Sequence, residues 1–154
     1  MGFFNSMNVS ASGLTAQRLR MDVISENIAN VNTTRTLDGG PFRRKTVLFE
    51  EIRETPFTAM LRGASLRGAA ESSGTGRGAG VKVSNIVHDN TPGPLVFDPS
   101  HPDANEDGFV RMPNVNIVEE MINMISATRS YEANITAINN TKAMLSRTLE
   151  IGRQ

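Results

Sequence analysis

The chain of 154 residues contains no cysteine and no tryptophan, a single tyrosine and two histidines. Without cysteine there is no disulfide and no thiolate metal site, and the final compartment can be reducing or oxidising. Aromatic residues make up only 5%, so the large anchors of a broad core are scarce. Sixteen basic and sixteen acidic residues cancel, which argues against a general nucleic-acid or anionic-membrane binder. No apolar run is long enough for a transmembrane helix, and the first residues lack the basic start and apolar stretch of a cleavable signal. No direct membrane insertion is therefore expected. His88 and His101 are accompanied by no His-Glu-x-x-His or Gly-x-Ser-x-Gly motif. Catalysis has little to work with, and no catalytic, cofactor-binding or metal-binding residue is assigned.

Three short matches to known motifs do not hold. The glycines between Glu71 and Gly80 follow no strand pattern and precede no Gly-Lys-Ser/Thr, so they read as flexible loop and not as a phosphate cradle. Asp103-Ala-Asn105-Glu-Asp107-Gly108 copies the start of a calcium loop, but its twelfth position is Asn114 instead of a bidentate glutamate; a turn is expected. Gly2 and Ser6 fit a myristoylation pattern. The preferred reading of that end is an apolar tip, Phe3 and Phe4, docking on a neighbour.

What the chain does have is heptad spacing at both ends. In the tail, Ile117, Met124, Tyr131, Ile138 and Leu145 recur every seven residues, and Met121, Thr128, Ile135, Lys142 and Leu149 form a second row four residues on. These are a and d positions of a long amphipathic helix from Asn114 to Gly152. Asn116 with Glu119 makes a capping-box pattern at its start; Arg147, Arg153 and a left-handed Gly152 suit its end. Ordering so many residues costs more than burying this one seam returns, so a partner is required. An ordinary bundle helix packed within its own chain and an intermolecular coil both satisfy the pattern. Near the N-terminus, Met7, Leu14, Met21 and Ile28 are also seven apart, predicting a second helix from Asn5 to about Thr33. Asn27 and Asn30 close it, able to cap it or to cross-link neighbouring backbones.

Between the helices a small antiparallel β unit is expected. Asp38-Gly-Gly-Pro41 makes a turn, with a hairpin, leading into a strand over 46–52; Val81 to Val87, Leu95 to Phe97 and Phe109 to Met112 supply the others. Charge is uneven here. Residues 43–82 hold eight basic against four acidic side chains, a net +4, and residues 89–120 hold one against seven, a net −6. Solvated faces and head-to-tail pairing between copies both fit that distribution.

Several longer motifs are more specific. Ser12 to Arg35, centred on Asn27-Ile-Ala-Asn30, resembles the shared signature of the rod and hook proteins of the bacterial flagellum. Asp38-Gly-Gly-Pro-Phe-Arg-Arg-Lys45, Asp98-Pro-Ser-His-Pro-Asp103, Met112-Pro-Asn-Val-Asn-Ile-Val-Glu-Glu-Met121 and Arg129-Ser-Tyr-Glu-Ala-Asn134 resemble the proximal rod proteins in particular. The resemblance implies a non-enzymatic structural subunit that self-assembles with other rod proteins into a tube around the export channel. It further implies export, without signal cleavage, through the flagellar type III apparatus, a rod that spans the periplasm, and terminal helices that fold on assembly.

The resulting expectation is an α+β chain. Residues 1–36 and 114–154 form an axial coiled-coil domain, and 37–113 a β-rich segment with a flexible loop at 64–80. The assembly interface is expected at Met7, Leu14, Met21, Asn27, Ile28, Asn30, Ile117, Met121, Met124, Tyr131, Ile135, Ile138, Leu145 and Leu149. Another rod or hook protein, a generic coiled-coil adaptor, and a cell-wall or calcium-dependent enzyme using the acidic loop are the alternatives.

Overall fold

The computed structural model describes residues 3–37, 39–53 and 78–152. In chain order they form α1 (Phe3–Ala29), β1 (Lys45–Arg53), β2 (Gly78–His88), β3 (Leu95–Phe97), β4 (Phe109–Arg111) and α2 (Ile117–Ile151). This is the α+β arrangement that the two heptad patterns and the β-forming runs between them predict.

Asn116 sets the start of α2: its backbone is extended, and its side-chain oxygen accepts the Val118 N–H at 3.0 Å, with Glu119 and Glu120 in the first turn. The carboxylates lie at the positive pole of the helix dipole, where they stabilise it. The far end differs from expectation. Gly152 is right-handed (φ −75°) and the last turn of α2 holds no basic residue, since Arg147 falls before it; Arg153 lies outside the described residues. At 1.5 Å per residue the 35 residues of α2 span about 50 Å.

The β residues form two separate antiparallel pairs instead of one unit. β1 pairs with β2 from Lys45 opposite His88 to Arg53 opposite Gly78, with irregularities at Leu48/Phe49 and Ile52/Arg53. Among the described residues no strand pairs with β1 across the turn at 39–41, where a hairpin was expected; β1 takes its partner from beyond residue 77. The Thr36–Gly40 turn closes on itself through Thr36 N–H to Gly40 O at 2.9 Å. Residues 64–77 of the predicted flexible loop lie outside the described residues, while Gly78 to Gly80 belong to β2. The side chains of Phe3 and Phe4 are likewise outside those described. β3 pairs with β4 through Val96 opposite Val110. The acidic stretch between them is a turn, as predicted, closed by Gly108 N–H to Asn105 O and by Gly108 at φ +78°.

α1 packs on α2 and also on both strands of the β1–β2 sheet. Along α1 and α2 the contacts run in opposite directions, Asn27 meeting Glu120, Met21 meeting Thr128 and Gly13 meeting Asn134, so the helices are antiparallel. The scarcity of aromatics has the predicted consequence: the buried apolar residues described are Ala16, Val23, Ile24, Phe42, Val110 and Ala127.

Candidate assembly interface

The helix pair has a contact row on α2 that alternates by four and three: Glu120, Met124, Ala127, Tyr131, Asn134, Ile138 and Thr141 are all buried or half-buried. Met124, Tyr131 and Ile138 belong to the first predicted row. The second row sits one residue earlier than predicted, at Glu120, Ala127, Asn134 and Thr141 instead of Met121, Ile135 and Lys142; of the predicted row only Thr128 is half-buried, against Met21. Hydropathy favoured the apolar alternatives; packing chose small or internally satisfied ones. Ala127 is fully buried, allowing close helix approach. Asn134 Nδ2 donates to Ser130 O at 2.9 Å and Thr141 Oγ1 to Ala137 O at 2.7 Å, so these polar side chains bind their own helix and need no partner across the seam. On α1 the heptad residues Met7, Leu14, Met21 and Ile28 are half-buried, and the deeper positions are Gly13, Ala16, Val23, Ile24 and Asn27.

The two asparagines were expected to cap α1 or to cross-link backbone across subunits. Asn27 does bind backbone, but of its own chain. Its Nδ2 donates to Lys45 O and its Oδ1 accepts the Lys45 N–H, both at 2.9 Å, so the amide mimics a strand partner at the start of β1. The second Nδ2 hydrogen reaches Glu120 Oε2 at 2.9 Å. Arg44 completes the cluster, with Nε donating to Glu120 Oε1 at 2.8 Å and Nη2 at 2.7 Å from the same oxygen. Asn114 holds the other side of β1, accepting the Arg44 N–H at 2.8 Å and donating to Asp89 O at 3.1 Å. Asn30 donates to Glu26 O and accepts from Thr33 Oγ1, capping α1.

Glu120 and Asn27 are each about 1% exposed, and a buried carboxylate is tolerated only when paired and fully hydrogen-bonded. This clasp ties α1, β1 and α2 together. Sequence reading missed Glu120, Arg44 and Asn114, because a glutamate in a first helical turn is indistinguishable from an ordinary dipole partner.

The other predicted residues of α2 lie outside that row. Ile117, Met121, Ile135, Leu145 and Leu149 are exposed, and with Val118, Ile122 and Ile125 they leave a large apolar surface uncovered. Val118, Met121, Ile122 and Ile125 follow i, i+3, i+4, i+7 spacing, one stripe on the side of α2 away from the Glu120–Thr141 row. Four such residues exposed by half or more form a patch that marks an interaction surface. The β3–β4 pair is likewise apolar outside, with Leu95 and Phe97 exposed and Phe97 set edge-to-face on Phe109 at 5.2 Å.

Among the described residues no group of three or more His, Asp or Glu side chains is placed to hold a metal ion, and no helix is long and apolar enough to cross a membrane.

Comparison with known proteins matches both ends of the chain. Residues 7–35, within α1 and the turn after it, match the family described as flagella basal body rod protein. Residues 106–151, from the β3–β4 turn through α2, match the family described as flagellar basal body rod FlgEFG protein C-terminal. Over nearly full length the chain is 49% identical to the flagellar basal-body rod protein FlgC of Bacillus subtilis (99% of this chain, 100% of the relative). It is 48% identical to that of Borreliella burgdorferi (98% of each) and 37% identical to that of Escherichia coli O157:H7 (99% and 100%).

Proposed function

The chain belongs to the flagellar basal-body rod proteins and is a structural subunit of the rod; from that premise we propose that its terminal helices are what polymerises. The observation that carries this reading is the apolar stripe of α2, with Val118 64%, Met121 55%, Ile122 61% and Ile125 53% exposed. A helix already packed on one side by α1 retains a second apolar side, and burying it supplies the association energy that the α1–α2 seam alone does not. Helices of other subunits, this protein's own copies and other rod proteins, cover that side in a coiled-coil arrangement around a central channel. Met121, Ile117, Ile135 and Leu149 then act between chains, while Met124, Tyr131 and Ile138 act within one. The subunit reaches the rod, across the periplasm, through the flagellar type III export apparatus.

Substitution at an exposed stripe position tests this. Ile125→Asp is expected to leave expression of the chain unchanged and to abolish motility and incorporation into purified basal bodies. Normal swimming with full incorporation contradicts the interface.

A further inference from the structure

A cavity of about 260 Å³ lies between the Gly39–Pro41 turn, the Asn90–Gly93 turn and the end of β4, and Arg43, Arg111, Asn90 and Thr91 line it. It shares Arg43 and Asn90 with a broader groove that adds Arg35, Lys45 and His88. Glu26 is the carboxylate lining this groove, and it is already ion-paired with Lys45. Arg43 donates Nη1 to Asn90 Oδ1 at 2.8 Å, and neither Arg43 nor Arg111 has a carboxylate partner among the described residues. The region therefore presents two guanidinium groups whose planar donors match a carboxylate.

Opposite in sign is the turn joining β3 to β4. Residues 98–107 carry Asp98, Asp103, Glu106 and Asp107 and no lysine or arginine. Two of these are used locally. Asp98 accepts from Ser100, and Asp103 accepts the Thr34 hydroxyl and lies 3.8 Å from Arg35. Glu106 and Asp107 are exposed, with no partner among the described residues. The turn cannot bring them to its own cavity. Gly93, Arg111 and Met112 line the cavity at the base of the β3–β4 ladder, while Glu106 and Asp107 stand at its tip, three paired residues or about 10 Å away. Asp103, held by Thr34, fixes the tip where it is.

We propose that the Arg43–Arg111 cavity receives the Glu106–Asp107 turn of a second copy of this chain. This rests on the rod reading above, which brings copies together, and it adds a contact through the β segment to the one through the helices. The exposed Phe97 and Phe109 beside the acidic turn, and the exposed Leu95 and Leu37 beside the cavity and the groove, supply apolar surface next to the charges. The sequence dipole of +4 over residues 43–82 and −6 over 89–120 is then a device that sets the order in which copies meet.

The test is site-specific photo-cross-linking in assembled rods. A photoreactive residue in place of Asn105, whose side chain makes no contact that the turn needs, leaves Glu106 and Asp107 intact. The expected product is a cross-linked dimer of this chain whose second peptide comes from residues 39–45 or 90–93. In a background carrying Arg43→Glu and Arg111→Glu the yield should drop at least tenfold, and Glu106→Lys with Asp107→Lys should restore it. Cross-linking to a different rod protein, to another part of this chain, or not at all overturns the proposal, as does loss without restoration. If the chain is absent from purified basal bodies, it is the rod reading that fails; if present with a different cross-link map, only the cavity contact fails.

Discussion

Asn27 Nδ2 and Glu120 Oε2 meet at 2.9 Å in the interior, 93 residues apart in the chain, and they join the end of α1 to the start of α2. Because Asn27 also holds both backbone groups of Lys45, and Arg44 holds Glu120, the β segment is fixed to the helix pair through one polar cluster. Rotation of the β1–β2 sheet relative to the helices would break these bonds together. Such a joint keeps the β1–β2 sheet aligned with the helix pair.

The cluster is asymmetric in burial, and that predicts unequal mutational effects. Arg44→Met strands a buried carboxylate and should cost about 3 kcal/mol or more. Glu120→Gln leaves a guanidinium that is 27% exposed and an amide oxygen that still accepts from it, but sets an NH2 against the buried Asn27 Nδ2; the loss should be smaller, about 2 kcal/mol. Thermal unfolding of the two variants, followed by circular dichroism, checks the order. Equal losses would mean that Glu120 is not the buried partner.

Shifting the seam by one residue separates two kinds of position. Ala127→Leu adds volume at a fully buried site and is expected to destabilise the chain by about 1–3 kcal/mol. Met121→Ala, on the exposed stripe, should leave the unfolding temperature unchanged and weaken incorporation into the rod. The reverse pattern would restore the register read from hydropathy alone.

Gly80 sits where α1 touches β2. Its φ is +135°, and a methyl group there would collide with the Ser12 hydroxyl, which accepts the Val81 N–H at 3.0 Å. Gly80→Ala is expected to lower stability by more than 1 kcal/mol, through both backbone conformation and loss of the Ser12 contact. Amide exchange at Val81 should accelerate with it; unchanged exchange would contradict the contact.

Two turns carry a pH dependence. Asp89 accepts from the Thr91 hydroxyl and N–H, and Asp98 from those of Ser100, which holds each carboxyl below its ordinary value of 3.8. A depressed folded value means a contribution that is present at neutral pH and lost as the pH falls below 3.8 through the folded value. Ser100→Ala should move the Asp98 titration upward toward 3.8 in an NMR titration of the side-chain carboxyl. No movement would show that the hydroxyl is not the main cause.

Both long helices, the Asn116 cap and the β3–β4 residues were legible in the sequence, because periodicity and cap chemistry are local. Which apolar rows face inward was not. Met121 and Ile135 score as seam positions, yet Ala127 and Asn134 occupy the contact, since close packing rewards small residues and helices satisfy their own amides. The pairing of β1 with β2 across residues 54–77 was also hidden, because the nearer Asp38–Pro41 turn signal suggested a local hairpin. Arg44 stood out only as part of the Asp38–Lys45 motif, and the fold alone showed it beside Glu120.

The stripe of α2 from Val118 to Ile125 is expected to be buried between subunits. Imaging the intact basal body at side-chain detail measures this directly. Met121, Ile122 and Ile125 are expected to pack against a helix of another subunit, with Met124, Ala127 and Tyr131 facing α1 of their own. A stripe left facing solvent or the channel in the assembled rod would contradict it.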